Sequence, residues 1–157
     1  MKLTEPQALN RIAAYCSRAE RCEFDVRRKL LGWDVDPDAI DRIVDRLKKE
    51  RFLNDSRFAR SFVNDKLRFN KWGKTKIVYE LKKRKISEAD YRDALNEFED
   101  EDFDEQLRHI LTIKAKTVKG KDTYDRRNKL IRFALGRGFS MDSVLRMMDQ
   151  LLHEDLE

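Results

Sequence analysis

The hydrophobic pattern of the chain repeats three times, at intervals of about fifty residues. In each copy an apolar residue comes directly before an Asp or Ser, and another apolar residue follows four positions after it. Asp and Ser are favoured helix N-caps, and the apolar pair on either side forms a hydrophobic staple across the first turn. The pattern therefore predicts three helix starts, in the segments Val35–Ile40, Ile86–Tyr91 and Phe139–Val144.

The apolar positions that follow these three starts also correspond. The matching sets are Ile43, Ala94 and Met147, then Val44, Leu95 and Met148, then Leu47, Phe98 and Leu151. Their shared spacing places them on one side of a helix. One helix is thus predicted to occur three times, which indicates a tandem array. Arrays of this kind usually offer an extended surface to a long partner.

The rest of the pattern completes three groups of three helices. In the first group, a capping box with an early proline opens a helix at Thr4, a short helix follows from Glu23, and a third runs from Pro37. In the second group, the three helices begin near Asn54, Gly73 and Glu88. In the third group, the first helix begins near Asp102, a basic connector around Gly120 leads into the second, and the last follows Ser140. We therefore expect an all-α fold of three tandem three-helix repeats, residues 1–53, 54–101 and 102–157, forming an elongated, curved array.

The composition agrees with helices and excludes some classes of protein. Charged residues make up 41% of the chain and hydrophobic residues 40%, with only five Gly and two Pro. The longest charge-free run, Ile12 to Ser17, is far too short to span a bilayer, and no signal-peptide pattern opens the chain. Cys16 and Cys22 have no zinc-ligand spacing, so we expect free thiols of a cytoplasmic protein.

Charge is distributed in blocks along the chain. Residues 66–85 hold nine basic side chains against one acidic, residues 86–105 hold ten acidic against one basic, and residues 114–129 hold seven basic against two acidic. Such blocks say more about partners than about fold. The first basic block favours a surface that contacts phosphates or an acidic protein, although a solvated side of helices four and five is the alternative. Phe69 and Trp72 within it are expected to pack in a core or at an interface rather than to stack on bases.

The chain shows no pattern typical of an enzyme. The acidic residues between Glu97 and Glu105 lack the spacing of a calcium loop, so a solvated face is favoured over a metal site or a metal-dependent hydrolase. This acidic stretch is either a joint between repeats or the end of helix six. His109 and His153 stand in no recognised catalytic arrangement. We expect no catalytic residue, no cofactor and no metal.

Four short motifs stand out along the chain: Leu53–Arg60 (LNDSRFAR), Gly73–Lys82 (GKTKIVYELK), Ile131–Ser140 (IRFALGRGFS) and Arg27–Leu30 (RRKL). Together they resemble the RecX family of small bacterial regulatory proteins. Each motif is weak alone, but the combined spacing is specific and covers nearly the whole chain. Two positions depart from the family pattern. Cys22 replaces a better N-cap, and Lys83–Lys85 stands where the family more often has a segment ending in Gly.

The resemblance implies a function as well as a fold. It implies a cytoplasmic, monomeric regulator that lodges in the groove of the RecA–DNA filament and restrains RecA ATP hydrolysis and strand exchange, in recombination, DNA repair and the SOS response. The alternative is a module that binds single- or double-stranded DNA without sequence preference and without RecA. In either case the candidate binding residues are basic: Arg57, Arg60, Lys66, Arg68, Lys71, Lys74, Lys76, Lys82, Lys83, Arg84, Lys85, Lys114, Lys116, Lys119, Lys121, Arg126, Arg127, Arg132 and Arg137.

Overall fold

The computed structural model describes the backbone of residues 2–156 and the side chains of residues 2–151. Within that range the chain forms nine α-helices and no strand. The helices are α1 (Glu5–Arg18), α2 (Glu23–Gly32), α3 (Pro37–Lys49), α4 (Asp55–Arg68), α5 (Lys74–Lys83), α6 (Glu88–Asn96), α7 (Asp100–Thr117), α8 (Thr123–Gly136) and α9 (Met141–Leu156). The predicted all-α class and the order of nine helices are confirmed.

The chain contains two compact units. The first unit comprises the residues up to Ser61 together with Leu81–Arg92, and the second comprises Phe62–Glu80 together with the residues from Asp93 onward. The division therefore passes through α4, α5 and α6. The predicted boundaries at residues 53 and 101 separate sequence repeats, whereas the two units are separated by how residues pack. The repeat boundaries therefore stay a prediction.

In the first unit, α1, α2 and α3 pack against one another. Their shared core includes Ile12 of α1, Leu30 of α2, and Ile43 and Leu47 of α3, all almost fully buried. The amphipathic stripes that predict these helices are the faces that they bury. Burial of such side chains contributes roughly 1.5–3 kcal/mol each.

In the second unit, α7, α8 and α9 form another mutually packed triad. Leu107 of α7, Ala134 of α8 and Val144 of α9 are completely buried there. Met147 is buried like its repeat equivalents Ile43 and Ala94. For this set, the correspondence found along the sequence is a correspondence of core positions, whereas the second and third members of the other two sets are only partly buried.

The three predicted helix starts are present, and two of the three predicted caps are formed. Ser87 Oγ accepts a hydrogen bond from Asp90 N, and Ser140 Oγ accepts one from Ser143 N. Asp36 occupies the N-cap position of α3, but its carboxylate caps no amide and instead accepts a hydrogen bond from Lys2 Nζ at 3.1 Å.

The helix start at Cys22, where the sequence predicts a weak N-cap, is stabilised by a residue that lies far away in the sequence. Cys22 is the N-cap of α2 and makes no capping hydrogen bond with its side chain. Asp55 Oδ1 of the same unit accepts a hydrogen bond from Glu23 N at 2.9 Å, which satisfies one of the amides left open at a helix start. Burial raises the pKa of Asp55, while the bond from the Glu23 amide opposes that shift. Asp55 thus acts as a cap across more than thirty residues of sequence.

The acidic stretch lies mainly in the third repeat. Helix α6 ends at Asn96, and α7 begins at Asp100, two residues earlier than the expected start near Asp102. Glu99 is the N-cap of α7 and forms a capping box with Asp102. Carboxylates are favoured in the first turn because the amino end of a helix carries partial positive charge. Most of the stretch is therefore the start of α7, so of the two alternatives the end of α6 is wrong, while a joint between repeats stays a prediction.

We expect both thiols to be unreactive in the folded protein. Cys16 and Cys22 are free and buried, and Cys22 has no exposed surface. Burial raises the pKa of both thiols, that of Cys22 to about 12. At pH 8 only about one Cys22 side chain in ten thousand is then the reactive thiolate. Ellman's reagent should therefore release its chromophore rapidly only in guanidinium. Rapid release from native protein would contradict the buried position, and Cys22→Ser leaves Cys16 as a single-thiol control.

Candidate functional site

Three basic or aromatic side chains of the second unit surround Trp72. The ammonium groups of Lys66 and Lys76 lie 4.8 Å and 4.5 Å from the centre of the Trp72 ring. Phe62 packs its ring against the edge of Trp72 at 6.3 Å. Trp72 is partly buried, so it packs as the sequence predicts, and it holds two cations in fixed positions.

A glycine contact fixes the start of α5 against the turn that precedes α9. Gly73 N donates a hydrogen bond to Arg137 O at 2.8 Å, and Thr75 N donates one to Gly138 O at 3.1 Å. Gly73 is buried, and a Cβ atom there would lie 2.5 Å from the carbonyl carbon of Gly138. Gly138 has φ +95°, a conformation that favours glycine. Both glycine motifs that carry the family resemblance therefore meet in one backbone contact.

Arg137 extends this contact with its side chain. Its guanidinium donates a hydrogen bond to Asn70 O at 2.9 Å and lies 5.2 Å from the centre of the Phe133 ring. Lys114 approaches the same ring at 5.0 Å. Two cations of the third predicted repeat thus share one ring, and one of them is bonded to the backbone of the second predicted repeat.

Two further cations of the second unit are paired with the acidic start of α7. Lys74 Nζ donates a hydrogen bond to Asp100 Oδ1 at 2.9 Å, and that bond holds the pKa of Asp100 below its usual value. Arg146 lies 3.8 Å from Asp104. The charge of Lys74, although the residue is exposed, is therefore partly satisfied within the molecule.

Several candidates in the first unit also have internal partners. Arg57 forms an ion pair with Glu20 and donates a hydrogen bond to Arg51 O. Arg84 lies 3.6 Å from Asp25. The side chains of Lys82 and Lys85 lie over the rings of Tyr91 and Phe24 at 5.9 Å and 5.7 Å. Lys85 also has φ +56°, which agrees with the family's preference for Gly near this position.

The third basic block forms the end of α7, the connection to α8 and the exposed side of α8. Lys129 Nζ of α8 donates a hydrogen bond to Lys119 O in the connection, and Arg126 of α8 donates one to Ala115 O of α7. Helix α8 is therefore bonded both to the connection and to the end of α7. The exposed candidates here are Lys116, Lys119, Lys121, Arg126, Arg127 and Arg132. Among the remaining candidates, Lys83 and Arg60 are exposed, while Arg68 donates a hydrogen bond to Asn64 at 2.7 Å.

Sequence reasoning missed a depression at the end of α4. It has a volume of about 410 Å³ and is lined by the α4–α5 connection, α7 and α8. Phe69 on its rim is 77% exposed, so it does not pack in a core, and packing at an interface stays a prediction. Two features of the sequence could have indicated that Phe69 is exposed. It lies outside the buried stripe of Val63 and Leu67, and it stands beside the basic residues Arg68 and Lys71.

Other classes of site are not assembled in the part of the chain whose side chains are described. There, no three His, Cys, Asp or Glu side chains are arranged to hold a metal ion. His109 is exposed on α7, whereas the side chain of His153 lies outside the described residues. Among the described helices, none is both long and apolar enough to cross a membrane.

Comparison with known proteins places the chain among regulatory proteins. It is 30% identical over 146 residues to the regulatory protein RecX of Prosthecochloris aestuarii, covering 93% of this chain and 94% of that protein. It is 27% identical to the regulatory protein RecX of Clostridium acetobutylicum, covering 94% of this chain and 70% of that protein.

Solved structures have the same fold. A crystal structure of RecX from Lactobacillus salivarius is 25% identical and superimposes with a TM-score of 0.81, covering 98% of this chain and 97% of that one. A second crystal structure, of a regulatory protein RecX, has a TM-score of 0.84 at 23% identity and covers 92% of this chain and 73% of the other.

Family models match three consecutive parts of the chain. The first three-helix domain of RecX matches residues 8–47, the second matches residues 54–95, and the third matches residues 100–148. The predicted tandem of three three-helix domains is thereby confirmed, and the chain belongs to the RecX family of regulatory proteins.

Proposed function

We propose that this protein regulates the RecA recombinase by binding the RecA–DNA filament and restraining its ATP hydrolysis and strand exchange. Membership of a family of regulatory proteins supports a regulatory rather than a catalytic role. A ligand shifts an equilibrium only by its different affinity for the two states. The protein must therefore bind one state of the filament more tightly than the other, or cover a surface that exchange requires. It would act in the cytoplasm, where the filament forms.

The contact between Gly73 and the Arg137–Gly138 turn is the observation that carries this proposal. It places Lys76 and Arg137, from different repeats, in one compact unit with fixed backbones. Cations held in a fixed arrangement lose less side-chain entropy when they meet phosphates or carboxylates. A regularly repeating polyanion or acidic protein surface fits such an arrangement.

Charge reversal tests whether the two basic blocks bind the filament. Lys82, Lys83, Lys116 and Lys119 are exposed and belong to the two basic blocks. Replacing all four by Glu should weaken binding to RecA filaments by roughly tenfold or more, because each change turns attraction into repulsion. The measurement is a titration at physiological salt that follows both binding and ATP hydrolysis, with helicity checked by circular dichroism.

A matched control reverses four exposed basic residues of the first repeat. Arg11, Arg18, Lys49 and Arg51 lie outside the basic blocks, and their replacement by Glu changes the net charge equally. Equal weakening by both variants would mean that only total charge matters. Tight binding to bare DNA with unchanged RecA turnover would favour the alternative function, a DNA-binding module that acts without RecA.

A further inference from the structure

We propose that the depression beside Phe69 is a binding pocket for one unstacked base of single-stranded DNA, with the adjoining phosphates held by the basic residues on its rim. The inference goes beyond regulation of RecA, because it needs only this protein and DNA. The argument rests on the shape and charge of the depression, on the exposure of one aromatic ring, and on the polar groups in its wall.

The depression is strongly positive for its size. Lys71, Lys114 and Arg137 line it, and none of the described residues around it carries a carboxylate. The protein as a whole has nearly as many acidic as basic residues, 30 against 35, so a lining with three cations and no acid is unusual for this surface. A polyanion is the complementary partner.

The cations are held in place by other groups. Arg137 is fixed by its hydrogen bond to Asn70 O and by the Phe133 ring, and that ring also carries the Lys114 ammonium at 5.0 Å. Lys71 has φ +57°, a conformation that a non-glycine residue rarely adopts. Two of the three cations, Arg137 and Lys114, are therefore held in place before any ligand binds.

Part of the wall is apolar and open to solvent. Phe69 is 77% exposed and Ile113 is 51% exposed, and both line the depression. An aromatic ring that is left in water among cations is the arrangement by which proteins stack bases of single strands without sequence preference. The volume of about 410 Å³ accommodates one base with its sugar.

The polar groups in the wall favour a base over an apolar peptide side chain. Asn70, His109 and Thr117 also line the depression and offer both donors and acceptors. An aliphatic or phenyl side chain would cover these groups without pairing them, and an unpaired buried polar group is costly. The edge of an unpaired base carries donors and acceptors that can satisfy them.

The test uses the full chain and two fluorescein-labelled single strands of about twelve nucleotides. One strand is oligothymidylate, and the other has the same backbone with abasic sites at its central positions. Anisotropy at physiological salt should show binding about tenfold tighter to the base-bearing strand. Phe69→Ala should remove most of that difference and leave binding to the abasic strand nearly unchanged.

Tyr124→Ala is the matched control. Tyr124 is 72% exposed, belongs to the same unit and does not line the depression. It should keep the preference for the base-bearing strand. Equal affinity of the native protein for both strands, or equal loss of the preference in both variants, would overturn the proposal. A second probe is a Glu-rich peptide that contains one Phe. If it binds the native protein but not Phe69→Ala, and if it displaces neither DNA strand, the depression is a site for a protein segment instead of a base. These measurements contain no RecA, so they are independent of the outcome of the filament titrations.

Discussion

Replacing Gly73 by Ala should destabilise the second unit by about 3 kcal/mol. A Cβ atom at this position would lie 2.5 Å from Gly138 C and 2.6 Å from Phe139 N, distances that real Cβ atoms do not show. All of these neighbouring atoms belong to the backbone, so no side chain can rotate away. The hydrogen bonds from Gly73 N and Thr75 N would have to lengthen as the two segments separate.

The two tryptophans allow this effect to be measured where it arises. Trp33 lies in the first unit and Trp72 in the second. In a Trp33→Phe protein all tryptophan fluorescence comes from Trp72, the residue next to Gly73. In urea the midpoint of its transition should fall by roughly 1–3 M. Gly136→Ala is the control, because a Cβ atom there has no neighbour within 4 Å. As Gly136 ends α8, that change should be neutral or slightly stabilising. An unshifted midpoint in Gly73→Ala would show that the contact is looser than described.

Replacing Gly138 by Ala should have a similar cost, about 3 kcal/mol, for two reasons. First, φ of +95° is unfavourable for any residue with a side chain. Second, a Cβ atom would meet the Cβ of Lys76 and lie 2.7 Å from Lys76 N. The same fluorescence transition measures the change, again against Gly136→Ala.

The double variant separates a shared contact from two independent effects. If Gly73 and Gly138 stabilise one junction, the contact can be lost only once, and the double change should cost clearly less than the two single costs added. Fully additive costs would contradict a shared junction. Because the junction also positions Lys76 and Arg137, either single variant should weaken filament binding more than its loss of stability explains.

The helices were largely predictable because their causes are local. Capping residues, staples and apolar spacing act within one or two turns, so α3 begins at Pro37, as the pattern predicts. The start of α7 was misplaced by two residues because an acidic run indicates a solvated segment as well as a first helical turn. The repeat register was recoverable because buried positions recur with the period of the repeat.

The candidate surface was predictable only as a set of charges. The blocks of basic residues are visible along the chain, but which cations are neutralised within the molecule depends on distant partners. Arg57 meets Glu20 and Lys74 meets Asp100, pairs that no local pattern indicates. The local pattern leaves open whether Phe69 packs in a core or at an interface, and the structure shows it exposed beside a depression that residues far apart in sequence create.

The sequence by itself determined the helical class, the three-fold repetition and the family, because capping, amphipathic spacing and charge are written in neighbouring residues. Only the tertiary structure decided that Gly73 meets Gly138, that Asp55 caps α2, and which basic side chains lie together around the depression. Those contacts join residues tens of positions apart, and their geometry follows from how the helices pack rather than from any local preference.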